Sequence, residues 1–534
     1  MGLIAELNGL QARHGYLRDT DMKELAGRLR LPLYRLQEVA SFYPHFRATP
    51  PPRVEILLCR DLCCFLAGGE RWNAKVKELL KGQPDTEVRE VSCLGRCEKA
   101  PAALVNGQAV GGESAERIAE LSRKPEPPAS REPAPERRWR LDPYDTGSEP
   151  FSVARGLGAD RADEGMATLK AAGLKGMGGA GFSTGLKWEI VRKEGAAPKY
   201  VICNADESEP GTFKDRVILE ELPHLVIEGM CIAATVVGAR RGWIYLRHEY
   251  EHVCLALERA MDRARSLGLL GRDFDVEIFL SPGGYIMGEE TALLEALEEK
   301  RGEPRNKPPF PGTRGLWGKP TLVNNVETLA MIPVILKRGA DWWKAQGVRG
   351  HHGLKVMAVS GHVARPGVYE IGLGTTVAEL IEMAGGVSGG RRLKAFTPGG
   401  ASSNFLPAEQ VHVEIDFASI QAAGSMLGSG ALVVIAEGTE MLSLAANVAR
   451  FFRNESCGKC VPCRVGTEKV VKMLDDILAG NGNGVLLEIL PGLEETLALT
   501  SICGLGQVAL NPLTSVLRHW PEEVKRHLAR SQKL

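Results

Sequence analysis

The sequence lacks a long apolar run and lacks an excess of either charge. Its longest apolar run, Met230 to Ala239, is far shorter than the roughly 20 residues that a membrane-spanning helix needs. Lys plus Arg and Asp plus Glu both number 66, which argues against nucleic-acid binding through bulk positive charge. We therefore expect no direct membrane insertion and no nucleic-acid partner, and we expect small molecules or other proteins as partners.

Targeting signals are also missing near the N-terminus. Glu6 and Arg13 interrupt any apolar segment of a secretory signal, and Glu6 stands where a myristoylation motif needs Ser or Thr. We expect a cytoplasmic protein. In that reducing compartment the 12 cysteines indicate metal binding, redox chemistry or core packing rather than disulfides.

The 534 residues imply about three to four domains. Residues 1–50 show helical spacing of leucines, residues 53–58 read as a strand, and Asn106-Gly107 is typical of a hairpin turn. Residues 1–121 therefore form a small α/β domain, and the Pro-rich residues 122–140 form a linker.

Two cysteine pairs lie in this first domain, Cys59-x4-Cys64 and Cys93-x3-Cys97. Each pair follows a probable strand, so the loops can converge, and four thiolates suit a 2Fe-2S cluster. A zinc site and unligated core cysteines stay open as alternatives.

The remaining sequence divides into three segments with different patterns of strands and helices. Residues 141–350 alternate strands with helices, including helices at Glu251–Ser266 and Glu289–Lys300, which predicts an α/β layer structure. Residues 351–437 have short strands, many glycines and one helix, which fits a small β-grasp (ubiquitin-like) domain. Residues 438–534 read as a helical bundle.

A glycine-rich loop at residues 176–188 is the first candidate site. Gly176, Gly178 and Gly181 satisfy G-x-G-x-x-G, yet the preceding segment looks helical, so the strand of a dinucleotide-binding fingerprint is missing. Glycines let backbone amides approach a phosphate, and Lys187 supplies a cation. A flexible surface loop is the alternative.

Cys457-x2-Cys460-x2-Cys463 presents three thiolates on one loop. This spacing suits three irons of a 4Fe-4S cluster, with Cys503 as the fourth ligand, and fits zinc less well. Cys203, Cys231 and Cys254 lack ligand spacing and are expected in the core.

Five further stretches carry a resemblance to a known family: GGAGFSTGLKW (178–188), CNADESEPGTFKD (203–215), YIMGEETA (285–292), PRNKPPFP (304–311) and TLVNNVET (321–328). With ESCGKCVPCR (455–464), they closely resemble the NADH-binding flavoprotein subunit of respiratory NADH-quinone oxidoreductase and its soluble relatives. The resemblance runs from about Leu141 to the C-terminus. It implies an α/β multidomain protein with a Rossmann-like domain that binds FMN and NAD, followed by a β-grasp domain and a helical 4Fe-4S domain.

The first domain resembles a different protein, the thioredoxin-like 2Fe-2S subunit that accompanies this flavoprotein. The run Cys93-Leu94-Gly95-Arg96-Cys97 carries that likeness. The gap between the two cysteine pairs is shorter than is usual in the family, and Cys63 adjoins Cys64. The x4 spacing favours Cys64 as the ligand, with Cys63 as a substitute, and a domain kept only for docking is a further alternative.

The resemblance also implies cofactor contacts. Those expected around FMN are Gly176, Gly178, Gly179, Lys187, Asn204, Asp206, Ser208, Tyr285, Gly288, Glu289, Asn324 and Asn325. Those expected at the nicotinamide dinucleotide are Phe182, Glu209, Glu290, Lys307 and Phe310, and solvated surface carboxylates are the alternative for the acidic members. Hydride would pass directly between the two cofactors, so no catalytic acid or base is expected.

Departures from the respiratory pattern suggest the assembly. The family usually has Arg where Met177 stands, and an Ala-Leu-Gly-Asp-like run where Gly504-Leu505-Gly506-Gln507 follows Cys503. These features and the fused first domain resemble the beta subunit of NAD-dependent formate dehydrogenase. That resemblance implies a hetero-oligomer with a molybdenum- or tungsten-containing catalytic subunit, and a further small 2Fe-2S subunit could accompany it. A respiratory flavoprotein, the diaphorase subunit of an NAD-reducing hydrogenase and a non-catalytic metal scaffold are the alternatives.

Overall fold

A computed structural model of the chain describes residues 2–123, 138–144, 147–482 and 484–531. The described part contains three β-sheets followed by a helical C-terminal region, which is the order that the sequence predicts. Most of the predicted linker at 122–140 lies outside the described residues. No helix among those described is long and apolar enough to cross a membrane.

The first sheet has the order β2-β1-β3-β4, with β1 and β2 parallel and the other neighbours antiparallel. The Asn106-Gly107 turn joins β3 to β4, as expected for this dipeptide. The elements are α1 (Leu3–His14), α2 (Asp19–Leu29), α3 (Leu33–Phe42), β1 (Val54–Cys59), α4 (Leu62–Leu66), α5 (Gly69–Leu80), β2 (Thr86–Val91), β3 (Ala102–Val105), β4 (Gln108–Gly111) and α6 (Ala115–Arg123).

The second sheet is entirely parallel, in the order β7-β6-β5-β8. Its elements are α7 (Ser152–Gly156), α8 (Ala162–Ala172), α9 (Thr184–Lys193), β5 (Lys199–Ala205), α10 (Lys214–Glu221), α11 (Pro223–Val237), β6 (Ala239–Leu246), α12 (Cys254–Ser266), β7 (Asp275–Leu280), α13 (Glu290–Leu297), α14 (Pro311–Arg314), β8 (Thr321–Asn325), α15 (Val326–Arg338) and α16 (Ala340–Lys344). Parallel strands carry their loops at a common carboxyl edge, where ligands of such sheets bind.

Two helices in this region are shorter than the sequence predicts. The expected helix Glu251–Ser266 begins at Cys254, after a 3₁₀ segment at His248–Val253. The expected helix Glu289–Lys300 spans Glu290–Leu297. It begins after Glu289 because this side chain accepts hydrogen bonds from the backbone N–H groups of Thr291 and Ala292 and so caps the helix from outside.

The third sheet has five strands, in the order β10-β9-β13-β11-β12. Its elements are β9 (Leu354–Gly361), β10 (Gly367–Gly372), α17 (Val377–Met383), β11 (Leu393–Thr397), β12 (Leu406–Pro407), α18 (Phe417–Ala422) and β13 (Ala431–Ala436). Helices then follow at α19 (Met441–Glu455), α20 (Val461–Leu478), α21 (Val485–Thr500), α22 (Gly504–Val508), α23 (Asn511–His519) and α24 (Pro521–Ser531).

A buried ion network fixes the third sheet against the second. Glu327 on α15 lies 2.6 Å from Lys355 Nζ on β9 and 2.8 Å from Lys214 Nζ on α10, and all three side chains are fully buried. Burial alone would raise the pKa of Glu327, yet Lys214 and Lys355 hold it below its ordinary value. Because unpaired buried charges are costly, separating Lys355 on β9 from Glu327 on α15 would be strongly unfavourable.

Candidate functional site

The glycine-rich loop joins α8 to α9 at the carboxyl edge of the parallel sheet. The backbone N–H of Gly176 donates to the carbonyl of Phe182 at 2.8 Å, which closes the loop on itself. The N–H of Met177 donates to Thr328 Oγ1 at 2.8 Å, which ties the loop to α15. A Cβ atom on Gly178 would lie 3.0 Å from Asn325 Cβ, so the close approach of the two segments favours glycine there.

Three predicted asparagines stand at strand ends beside this loop. Asn204 lies near the end of β5 and donates to the carbonyl of Gly288 at 2.8 Å. Asn324 accepts from Trp188 Nε1 at 2.8 Å. Asn325 caps α15 through its side-chain oxygen and donates to Asp215 Oδ2 at 2.6 Å. The sheet edge therefore brings residues distant in sequence to one place.

Two ion pairs flank the loop. Lys187 Nζ lies 2.9 Å from Glu290 Oε2, and Lys307 Nζ lies 2.7 Å from Glu289 Oε1. Among the predicted nucleotide contacts, the rings of Phe182 and Phe310 are exposed. Exposed aromatic faces next to paired charges are available to stack on a planar ligand.

Asp206 carries a buried oxygen that is only weakly satisfied. Its Oδ1 accepts from Ser208 Oγ at 2.5 Å, whereas its buried Oδ2 has no hydrogen bond of good geometry, the nearby Ser281 hydroxyl being its one weak partner. Burial raises the pKa of Asp206 to about 6. A buried acceptor without a strong partner fits a ligand that supplies a donor, as the hydroxyl groups of a flavin side chain do.

We expect Asp206→Asn to change how stability depends on pH in flavin-depleted protein. Because the folded-state pKa of Asp206 is raised, the contribution of this residue to stability is fully present below about pH 4 and is lost as the pH rises through about 6. Asparagine does not titrate, so the variant should be more stable than wild type above pH 6, by roughly 3 kcal/mol at most. Thermal unfolding across pH 4–8 measures this. The prediction would be contradicted if the stability of wild type and variant changed equally with pH. The control is Asp163→Asn, because the Asp163 side chain is exposed.

Glu209 joins three regions of the chain. It accepts from Tyr285 Oη at 2.6 Å and from the backbone N–H of Ser402 at 2.7 Å, and burial raises its pKa. The backbone N–H of Tyr285 in turn donates to Glu455 Oε2 at 2.9 Å, at the start of the Cys457 loop. Sequence reasoning missed Ser402, because nothing in its local pattern connects it to a residue that is distant in sequence.

The four cysteines predicted for a 4Fe-4S cluster come together in the C-terminal region. Cys457 and Cys460 are close enough to Cys463 to influence its pKa electrostatically, and Cys457 influences the pKa of Cys503 in the same way. Burial raises the pKa of Cys463 to about 11 and that of Cys503 to about 12. The negative charge of Glu289 also raises the pKa of Cys503, so this thiol lies within electrostatic range of the Lys307–Glu289 ion pair.

The cysteines of the first domain form a connected buried set. Hydrogen bonding to Cys64 and Cys93 raises the pKa of the Cys59 thiol, and hydrogen bonding to Cys63 and Cys93 raises that of Cys97. The Sγ atoms of Cys93 and Cys97 are 3.6 Å apart. Cys64 therefore lies on the Cys59 side of the set and Cys63 on the Cys97 side.

This cysteine set directly contacts the segments that follow β5 and β6 at the carboxyl edge of the parallel sheet. The backbone N–H of Gly211, two residues after Glu209, donates to Cys97 Sγ at 3.3 Å. Arg247 donates to the carbonyl oxygens of both Cys93 and Glu207. Neither Gly211 nor Arg247 was identified from the sequence, because both act across a domain contact.

The donor sets suit the expected groups. Grouped thiols that are buried or half-buried suit iron–sulfur clusters. The glycine loop suits a flavin phosphate, and the Asp206 carboxylate suits the hydroxyl groups of the flavin polyol. Within the described residues, no three His, Cys, Asp or Glu side chains meet the geometry of a single bound metal ion. The fit to clusters therefore rests on the thiol contacts and their burial.

Comparison with known families agrees with this arrangement. Four family models match: a thioredoxin-like [2Fe-2S] ferredoxin over residues 1–125, the Nuo51 FMN-binding domain over 169–334, an SLBB domain over 356–403, and the iron–sulfur binding region of NADH-ubiquinone oxidoreductase-F over 443–527. The chain is 44% identical over 396 residues to the F 2 subunit of NADH-quinone oxidoreductase from Rhizobium meliloti (strain 1021), covering 73% of this chain and 94% of that protein. The chain belongs to the family of NADH-quinone oxidoreductase F subunits.

Other proteins of similar sequence include a hydrogenase component. The HndC subunit of an NADP-reducing hydrogenase from Solidesulfovibrio fructosivorans is 43% identical, over 67% of this chain and 75% of that protein. Among solved structures, the NAD+-reducing [NiFe]-hydrogenase in the air-oxidised state matches with a TM-score of 0.89 and 35% identity, over 98% of this chain and 93% of that chain.

Membership of this family confirms several predictions. The multidomain α/β fold with a thioredoxin-like first domain is confirmed, as are FMN, NAD, a 4Fe-4S cluster and a 2Fe-2S cluster as cofactors. The chain is an NADH-dependent flavin and iron–sulfur oxidoreductase subunit.

Proposed function

We propose that this chain is the diaphorase subunit of an NAD-dependent formate dehydrogenase. The observation that carries its electron-transfer role is that both cysteine sets approach the proposed flavin site: Gly211 donates to Cys97 Sγ, and Glu289 is within electrostatic range of Cys503. NADH exchanges electrons in pairs as hydride and clusters exchange them singly, and a flavin can do both. A flavin between the two cluster sites therefore couples two-electron transfer to one-electron transfer.

Within the flavin and nucleotide site, the roles follow from position. The backbone N–H groups of Gly178 and Gly179 cradle phosphate, Gly176 shapes the loop through its bond to Phe182, and the Asn side chains at the sheet edge bind polar atoms of the flavin. Lys187 and Lys307 are held in place by Glu290 and Glu289, so they present oriented cations. Phe182 and Phe310 offer stacking surfaces to the dinucleotide.

The cysteines that bind the two clusters are likewise assigned from their positions. Cys457, Cys460, Cys463 and Cys503 hold the 4Fe-4S cluster, and Cys59, Cys64, Cys93 and Cys97 hold the 2Fe-2S cluster. Contact of Cys64 with Cys59 supports the choice of Cys64, since the pair Cys93 and Cys97 then binds the second iron. The five-thiol set also leaves Cys63 next to the cluster site.

We expect Glu209→Gln to alter the handling of NADH without changing cluster content. The two carboxylate oxygens accept hydrogen bonds from Tyr285 and Ser402, and glutamine replaces one acceptor with a donor that faces other donors. The KM for NADH or the rate at which oxygen reoxidises reduced flavin should change by roughly threefold to tenfold. If the KM and the reoxidation rate were both unchanged, Glu209 would have a purely structural role. Glu277→Gln, at an exposed surface pair, is the control.

The departures at Met177 and after Cys503, together with the fused first domain, support formate as the electron source. The partner would be a catalytic subunit with a molybdenum or tungsten pterin cofactor. A hydrogenase is the second candidate, because the NAD+-reducing [NiFe]-hydrogenase chain matches 98% of this chain, including its first domain. In both cases the chain works in a hetero-oligomer.

The test is to purify the chain with its native partners and measure three activities. We expect formate-dependent reduction of NAD+, with molybdenum or tungsten in the complex. Hydrogen-dependent reduction with a nickel-containing partner, or NADH-dependent quinone reduction in a membrane complex, would contradict the formate assignment. NADH oxidation by ferricyanide should be present in every case, because a small oxidant can react at the flavin directly.

A further inference from the structure

Glu455 is the last residue of α19 and precedes Cys457 by two positions. A negative charge at the C-terminal end of a helix is unfavourable, because the carbonyl groups there carry partial negative charge. The side chain is nevertheless half-buried at this point. Helix stability alone therefore does not account for a glutamate here, and the partners of its carboxylate lie outside α19.

Both carboxylate oxygens of Glu455 accept hydrogen bonds from other regions of the chain. Ser92 Oγ, from the residue before Cys93 in the first domain, donates to Glu455 Oε1. The backbone N–H of Tyr285, in the flavin region, donates to Glu455 Oε2 at 2.9 Å. An ionised carboxylate only accepts hydrogen bonds, so both bonds run towards Glu455. One side chain thus connects the loop of the 2Fe-2S site, the flavin region and the loop of the 4Fe-4S site.

A second contact joins α19 to the first domain. Asn447, earlier on the same helix, is buried and donates through Nδ2 to the carbonyl oxygen of Arg60 at 2.9 Å. The neighbouring Asp61 accepts the backbone N–H of Cys93 at 2.8 Å. The Cys93 loop is therefore held to α19 by two routes, one through Ser92 and one through Asp61 and Arg60.

We propose that Glu455 is a positioning residue that holds the loops of both cluster sites and the Tyr285 segment in one arrangement, and so sets the rate of electron transfer between the flavin site and the 2Fe-2S site. This proposal rests on the cluster ligands and flavin site given above and is independent of the electron donor. Transfer slows when two sites move apart or when their separation fluctuates. Bonds that fix the loops therefore keep the transfer fast.

Removing these bonds should slow electron transfer from the 2Fe-2S site to NAD+. Ser92→Ala removes one bond and Glu455→Ala removes both. We expect each variant to be slower by about tenfold to a hundredfold, the usual cost of losing a group that supports metal ligands. The double variant should be no slower than Glu455→Ala, because that substitution already removes the contact with Ser92. Ser92→Thr keeps the hydroxyl and should retain most of the wild-type rate.

The experiment is a single turnover of the full-length chain without partner subunits. The chain is reduced chemically and mixed with NAD+. Each cluster then gives up one electron, and the two electrons and one proton from solvent reach NAD+ as hydride. Rapid freezing follows the loss of the paramagnetic signal of the 2Fe-2S cluster. In the reduced samples, the dipolar coupling between the two clusters measures their separation, and its distribution should be broader in Ser92→Ala than in wild type.

Two matched controls separate position from residue type. Ser41→Ala removes a hydroxyl in the first domain that donates to the carbonyl oxygen of Glu38 on the same helix. Glu468→Ala removes a mostly exposed carboxylate on α20. Both should match wild type in rate and in dipolar distribution. In Ser92→Ala, the iron content, the flavin content and the reduction of ferricyanide by NADH should also equal those of wild type.

Several results would overturn this role of Glu455. One is an unchanged rate and an unchanged dipolar distribution in both Ser92→Ala and Glu455→Ala. Another is an equal rate in Ser92→Thr and Ser92→Ala, since the hydroxyl would then be unimportant. Loss of 2Fe-2S iron from Ser92→Ala would show that Ser92 supports cluster binding instead, and a wild-type chain without a 2Fe-2S signal would remove the ligand set and this role together. The formate assignment is tested separately, because this experiment uses no partner subunit.

Discussion

Cys460→Ser should eliminate the 4Fe-4S cluster and leave the flavin bound. Cys460 is the residue immediately before α20, and its thiol groups with those of Cys457 and Cys463. Serine keeps the size but lacks the soft thiolate that iron prefers. The glycine loop lies in another region and has its own support from Thr328 and Asn325, so flavin content should equal that of wild type.

Cys460→Ser should affect the two activities of the chain differently. Electron transfer to or from the native partner should fall by at least about a hundredfold, because outer-sphere changes alone already cost 10–100-fold and here a ligand is lost. Reduction of ferricyanide by NADH should persist. The measurements are the low-temperature paramagnetic signal, iron content and both activities. Persistence of the 4Fe-4S signal in Cys460→Ser would contradict the ligand assignment. The control is Cys254→Ser, because Cys254 is a half-buried cysteine outside the predicted cluster sites.

Gly178→Val should abolish flavin binding while both clusters remain. Even a single Cβ on Gly178 would meet Asn325 Cβ at 3.0 Å, and the branched valine adds two more carbons at that point. Asn325 is held by Asp215 and by its cap on α15, so it cannot move away without breaking those bonds. The loop must shift instead, and the backbone N–H groups that would cradle the phosphate shift with it.

We expect the flavin-to-protein ratio of Gly178→Val to fall at least about tenfold, the equivalent of losing one good hydrogen bond to a charged group. Flavin released by denaturation and iron content measure the two outcomes separately. Gly195→Val is the control, because a Cβ on Gly195 meets nothing within 4 Å. Normal flavin content in Gly178→Val would mean that this loop does not hold the flavin.

Short-range patterns can be predicted well from the sequence. The Cys457, Cys460 and Cys463 spacing places three thiolates on one loop whatever the rest of the chain does, and the Asn106-Gly107 turn specifies its hairpin locally. The helical pattern before the glycine loop likewise excludes an ordinary dinucleotide fingerprint. The predicted helix begins at Glu289, one residue before α13 does. The sequence pattern allows Glu289 to be the first helical residue, but its side chain caps the helix from outside.

The sequence by itself determined which thiols, glycines and asparagines are available and which of them are neighbours along the chain. Only the tertiary structure decided which distant groups meet: Glu209 with Ser402, Gly211 with Cys97, and Cys63 with Ser360. Local spacing fixes geometry within one turn or loop, where few dihedral angles separate the residues. Contacts across hundreds of residues depend on how separate sheets and helices pack, and groups such as Lys355 and Glu327 come together only in the packed arrangement.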